Sequence, residues 1–171
     1  MSPTERSAYV LDSSAIIDLA KNLSRGKLKK TLIALAKQQQ LVIPEGVFRE
    51  IARVSDKANK LLAQLNRSYP NCVVRIHDIA HLPEELQRIE RTYGATIHVG
   101  NRQYAGFWGS PSGRKAADGQ VVALGKMIRG IVVTGDQKIE LVCLLENVPH
   151  IGWTELVRRT YGGEPPGLFS A

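Results

Sequence analysis

Four carboxylates stand where two strands and two helices would aim them at one point. Asp12 follows the apolar run Ala8-Tyr9-Val10-Leu11, and Asp136 follows Ile131-Val132-Val133-Thr134-Gly135. Both runs read as buried parallel strands. In an open α/β sheet, ligand sites form at the carboxyl ends of strands. Glu50, in Phe48-Arg49-Glu50-Ile51, and Asp118, in Ala117-Asp118-Gly119, lie in helix patterns between them. Carboxylates gathered this way repel one another unless a cation sits among them. Their hard oxygens suit Mg²⁺ or Mn²⁺. A metal held this way on a basic protein points towards phosphodiester chemistry.

Each acid also has a plainer role. Asp136 can cap the helix that follows it, and Asp118 is an acid in a first helical turn. Glu50, flanked by Arg49 and Arg53, reads alone as a solvated helix acid. Ser13 and Ser14 read as helix caps, or as hydroxyls that hold metal-bound water. Asp18 reads as a helix-surface acid within reach of assisting Asp12. The macrodipole explains Glu45. The order and spacing of the four acids together outweigh these separate readings.

The elements that must position the acids follow from periodicity. A strand over 8–12 leads to a helix through Ile16, Ile17 and Leu19, broken at Arg25-Gly26. An amphipathic helix spans Lys27 to Gln39, with Leu28, Leu32, Leu35 and Ala36 on its apolar stripe. Arg25, Lys27, Lys29 and Lys30 read as a solvated face. Leu41-Val42-Ile43 is a short buried strand, and Pro44 suits the first turn of the next helix. Asp56 caps a helix through Leu61, Leu62 and Leu65. Val73 to Ile76 is a strand, and Pro83 to Tyr93 a charged helix. Residues 94–115 are glycine-rich and loop-like. A helix from Ala117 to Ile128, a strand from Ile131 to Thr134, a helix from Gln137 to Glu146, a strand from Val148 to Ile151 and a helix begun at Thr154 complete the chain. Strands alternating with helices predict a three-layer α/β/α fold with a mainly parallel central sheet. One domain is expected over 1–161, with a flexible Gly/Pro tail over 162–171.

The chain has 171 residues and a net charge of +7, from 23 basic and 16 acidic residues. Sequestering four acids in a site leaves the remaining surface more basic, which favours a polyanionic partner. No apolar run is long enough to span a bilayer, and no apolar signal stretch opens the chain, so a cytoplasmic protein is expected. Cys72 and Cys143 sit in apolar contexts and read as buried free thiols. His77, His81, His98 and His150 are dispersed and read as surface or strand-end residues rather than ligands.

The pattern resembles the PIN-domain ribonucleases. The likeness rests on a strand ending Asp12-x-Ser14, Glu50 at a Glu-Ile step after a short strand and Pro44, Ala117-Asp118 opening a helix, and a strand ending Thr134-x-Asp136. It spans 8–55 and 114–151, and the segment 56–115 is longer than a minimal member needs. The family includes VapC-type toxins, held inactive by an antitoxin, and RNA-processing nucleases. The resemblance implies a catalytic pocket of Asp12, Glu50, Asp118 and Asp136 holding Mg²⁺ or Mn²⁺, with Ser14 and Thr134 in support. It implies an endoribonuclease acting on single-stranded or structured RNA, with an antitoxin and a homodimer as possible partners. The chain departs from the family after Asp136. Many members carry another acid there, whereas this chain has Gln137-Lys138-Ile139 before Glu140.

The segment Asn101 to Trp108 interleaves a base, amides and aromatics, and Arg114 and Lys115 follow. Arg102, Arg114 and Lys115 are candidates for phosphate contacts, and Tyr104 and Trp108 for stacking bases. Equally, Phe107 and Trp108 can pack a lid onto the core. The run Gly119 to Lys126 is not a phosphate loop: it has five residues between its glycines where the motif needs four, and Met127 stands where Ser or Thr belongs. Two rival functions remain at this stage. One is a catalytically weak PIN-like module that binds RNA or protein, and the other a phosphatase of small substrates.

Overall fold

Five parallel strands in the order β3-β2-β1-β6-β7 form the central sheet. The computed structural model describes residues 6–54, 56–111 and 113–161, and the backbone alone for Asp56 and Lys115. The expected Asp56 cap, the Lys115 phosphate contact and the 162–171 tail lie outside the described residues. In β1 (Tyr9–Leu11) all three residues are buried. Its partners flank it in register: Tyr9 lies beside Leu41 of β2 (Leu41–Pro44) and Ile131 of β6 (Ile131–Val133). β3 (Val73–Val74) extends the sheet beyond β2, and β7 (His150–Ile151) beyond β6. Strands covered on both faces carry continuous apolar runs, which is why the sequence reads them directly.

Helices α1 (Ser13–Asn22) and α2 (Arg25–Lys37) connect β1 to β2, and α3 (Glu45–Val54) and α4 (Asp56–Ser68) connect β2 to β3. The chain then crosses to the other side of β1 through α5 (Leu82–Tyr93) and α6 (Asp118–Met127). After β6 come α7 (Gln137–Leu145), β7 and α8 (Trp153–Tyr161). The order therefore switches direction between β1 and β6, where α/β sheets open a ligand crevice. Helix α6 packs on β1, β2 and β6, with α5 and α7 against it, while α1 packs with α2, α3, α4 and α8. Residues Val121 to Gly125 of α6 are all buried. A Cβ on Gly125 would stand 2.6 Å from Val132, so only glycine lets α6 seat this closely on β6.

Several local expectations change. The first helix ends at Asn22 with Leu23 as its C-cap, and Ser24 caps α2 by accepting from the Lys27 N–H, so Gly26 lies in a first turn rather than at a break. Pro44 is the last residue of β2. Within 94–115, β4 (Thr96–Val99) and β5 (Arg102–Ala105) pair antiparallel as a hairpin. Gly100 takes a positive φ in its turn, and Ile97 is buried beneath it. The glycines read as loop residues therefore punctuate strands. Both cysteines are buried and free, and His77, His81 and His98 are exposed. Among the described residues, no helix is long and apolar enough to cross a membrane.

Candidate active site

Asp12 follows β1 directly and is only 2 % exposed. It caps α1: Oδ1 accepts from the Ala15 N–H at 3.0 Å and from the Ser14 hydroxyl at 2.7 Å. The cap is thus Asp12, not Ser13 or Ser14. Its Oδ2 accepts from the Thr134 hydroxyl. Both hydroxyls also act as acceptors. Ser14 Oγ receives the Gly135 N–H at 3.0 Å, and Thr134 Oγ1 receives the Asp136 N–H at 3.0 Å. The turn after β1 and the turn after β6 are therefore stitched together through one carboxylate. Asp136 caps α7, its Oδ1 accepting from the N–H groups of Lys138 and Ile139.

Glu50 joins this site from α3. Its Oε2 accepts from Ser13 Oγ at 2.9 Å, and its Oε1 from the Ala117 N–H at 2.9 Å. It is a tie between the starts of α1 and α6, not a solvated helix acid. Ala117 is the residue before Asp118, so the same contact fixes where Asp118 stands. Asp118 makes no side-chain hydrogen bond among the described residues.

The charges report the convergence. Burial first, and then the charges of Asp136, Asp12 and Glu50, together push the Asp118 carboxyl up to about 7. Lys138 opposes them. Asp12 is also raised, chiefly by burial, with Asp136 adding and the bonds from Thr134, Ser14 and Ala15 opposing. Like charges held close in a partly desolvated pocket favour a proton or a cation between them. Among the described residues, both oxygens of Asp118 and Oδ2 of Asp136 make no hydrogen bond and are left for either.

Two further residues border the pocket. Asp18 lies one helical turn after Ser14, and its Oδ2 is 3.1 Å from where a Cβ on Gly135 would stand. Lys138 donates to the Gly106 carbonyl at 3.2 Å and ties α7 to the end of the hairpin. Where many PIN-domain members carry a further acid after Asp136, this chain has Lys138, whose charge acts on Asp118. The Asp136 cap was the available signal, because it places Lys138 in the first turn of α7. Among the described residues, no group of three or more His, Cys, Asp or Glu side chains is drawn together as a ready metal site. The donors nonetheless suit a hard cation: they are carboxylates and hydroxyls, Asp118 is unpartnered, and its repulsion is what a cation would remove.

The candidate RNA contacts are split. Arg102 and Tyr104 sit on β5, both exposed. Phe107 is fully buried, as a lid residue would be. Trp108 is half-buried against Gly94, where a Cβ would collide with its ring. The Arg114 guanidinium lies 4.6 Å from the Trp108 ring centroid. A scan against protein-family models matches none, and a search of curated proteins finds no match.

Proposed function

We propose that this protein is a metal-dependent endoribonuclease acting on single-stranded or structured RNA. Asp12, Glu50, Asp118 and Asp136 would hold Mg²⁺ or Mn²⁺. The observation that carries the reading is Asp118: an unpartnered carboxyl at about 7, raised by burial and by three other acids. The resemblance of these segments to PIN-domain ribonucleases supports it, as does the net charge of +7.

A bound divalent ion would lower the pKa of a water and offset charge on the scissile phosphate. The protein's own groups divide the remaining work. Ser14 and Thr134 hold Asp12 in one orientation, Glu50 fixes the start of α6, and Lys138 supplies positive charge beside the acids. Arg102, Arg114 and Lys115 would lead phosphates towards the pocket, with Tyr104 stacking a base. The resemblance extends the proposal to a cytoplasmic toxin paired with an antitoxin, acting alone or as a homodimer.

A catalytically weak binding module is the second reading. It is favoured by Glu50, which spends both oxygens on protein partners. Incubating single-stranded RNA with the protein in Mg²⁺, Mn²⁺ or chelator separates the two. The nuclease reading expects cleavage in either metal and none in chelator. RNA binding without cleavage supports the module, and release of phosphate from nucleoside monophosphates supports a phosphatase.

A further inference from the structure

A cavity opens along the edge strand β3, whose carboxyl end lies on the same side of the sheet as that of β1. It measures about 670 Å³ and lies between α3, α4 and the end of β3. Its lining includes Phe48, Arg49, Asn66, Asn71, Arg75 and Asp78. Arg75 directly follows β3, as Asp12 directly follows β1. Two strand spacings separate them, roughly 10 Å, a span that one RNA strand readily bridges. Helix α3 serves both places. Glu50 points to Ser13 and Ala117, while its neighbour Arg49 lines the cavity.

The polar groups of the cavity do not satisfy one another. Arg49 and Arg75 are exposed, and among the described residues neither they nor Asp78 makes a side-chain hydrogen bond or ion pair. Glu45 is different: its Oε1 accepts from the Ile76 N–H at 3.0 Å and closes one wall. Two unpartnered guanidiniums suit a phosphate. An ionised carboxylate accepts and never donates, so Asp78 selects a base edge carrying adjacent donors. Guanine alone offers paired N1–H and N2–H donors on its pairing edge. The amides of Asn66 and Asn71 can donate and accept around the same ring, and Phe48 supplies an apolar surface. Single-stranded RNA is read in this way, by its exposed pairing edges and by stacking.

The geometry points to this cavity as a subsite for one guanine nucleotide of the RNA strand, beside the acidic pocket. The assignment of the RNA as substrate rests on the reading above, but binding in the cavity can be measured apart from cleavage. The full chain is titrated with GMP and with UMP while backbone amide signals are followed by NMR. GMP is expected to bind more tightly than UMP and to shift the amides of Val74 to Asp78. Asp78→Asn is expected to weaken GMP at least roughly fivefold, the low end for losing a paired base contact, and to leave UMP unchanged. Arg75→Gln is expected to weaken both nucleotides. Equal affinity for GMP and UMP in the wild type overturns the proposal, as do shifts confined to the surroundings of Asp12 and Asp118. An RNA cleavage assay on the same protein keeps the two readings apart. Cleavage without guanine preference rejects the subsite alone, and guanine binding without cleavage rejects the nuclease alone.

Discussion

The hydroxyl of Thr134 donates to Oδ2 of Asp12 across 122 residues of sequence and, with the bond from the Gly135 N–H to Ser14 Oγ, ties the turn after β1 to the turn after β6. Thr134 Oγ1 in turn accepts the Asp136 N–H. One side chain thus orients one candidate acid and positions the backbone of another.

Thr134→Val keeps the shape and removes both bonds. It leaves the buried Asp12 Oδ2 and the part-buried Asp136 N–H without this partner, at a cost of about 1–3 kcal/mol. It also removes one influence that holds the Asp12 carboxyl down. RNA cleavage should fall without vanishing, and thermal unfolding should report the loss of stability. A variant with wild-type melting and wild-type rates at limiting metal removes Thr134 from the site.

Asp118 gives the account a pH signature. Its value in the folded protein, about 7, stands above its ordinary 3.8. Folding therefore favours the protonated form. The stability linked to this group is complete below its unfolded value and is lost as pH rises through about 7. Metal-free wild type should lose melting temperature relative to Asp118→Asn across that interval. At about pH 8 the difference should be on the order of 1–2 kcal/mol, below the full displacement at about 1.4 kcal/mol per pH unit because solvent screens part of it. Added Mg²⁺ should narrow the gap. Parallel melting curves for the two proteins would contradict the convergence of the four acids.

Legibility followed the range of the interactions. Asp12 and Asp136 could be placed because a strand end is a local signal, written in the apolar run before it. The contacts of Glu50 were not legible, since Ser13 and Ala117 lie 37 and 67 residues away and nothing in Arg49-Glu50-Ile51 names them. The hairpin over Thr96 to Ala105 was hidden because its glycines carry the same signal as a loop. Ser13 and Ser14 both read as caps, yet Ser13 donates to Glu50 and Ser14 to Asp12, for a similar reason: a hydroxyl at a helix start caps or crosses according to what tertiary packing brings near. Lys138 was visible as a departure from the family but not as a neighbour of Asp118.

Trp108 and Arg114 should separate into different roles. Trp108 packs on Gly94, so Trp108→Ala should cost about 2–4 kcal/mol of stability as a partly buried aromatic. Arg114→Gln should cost much less, about 0.5–1 kcal/mol for its contact with the ring. It should also weaken RNA binding and flatten the salt dependence by about one phosphate contact. Unfolding curves and binding isotherms at several salt concentrations measure both. Unchanged salt dependence in Arg114→Gln would remove it from the RNA path.

Glu50→Ala tests a tie and a site acid together. Losing its acceptors leaves Ser13 Oγ and the Ala117 N–H without their partner, so a loss of about 1–3 kcal/mol is expected. Glu50→Gln retains one acceptor and should recover part of that stability while RNA cleavage stays low. Full cleavage by Glu50→Gln would assign Glu50 to the scaffold alone.

The most direct measurement pairs Mn²⁺ binding with RNA cleavage in wild type and Asp118→Asn. Wild type should bind Mn²⁺, cleave single-stranded RNA and lose cleavage in chelator. Asp118→Asn should remain folded, bind Mn²⁺ at least about tenfold more weakly, as removing roughly 1.4 kcal/mol of interaction implies, and leave RNA intact. Equal Mn²⁺ affinity and equal cleavage in the two proteins would contradict the account.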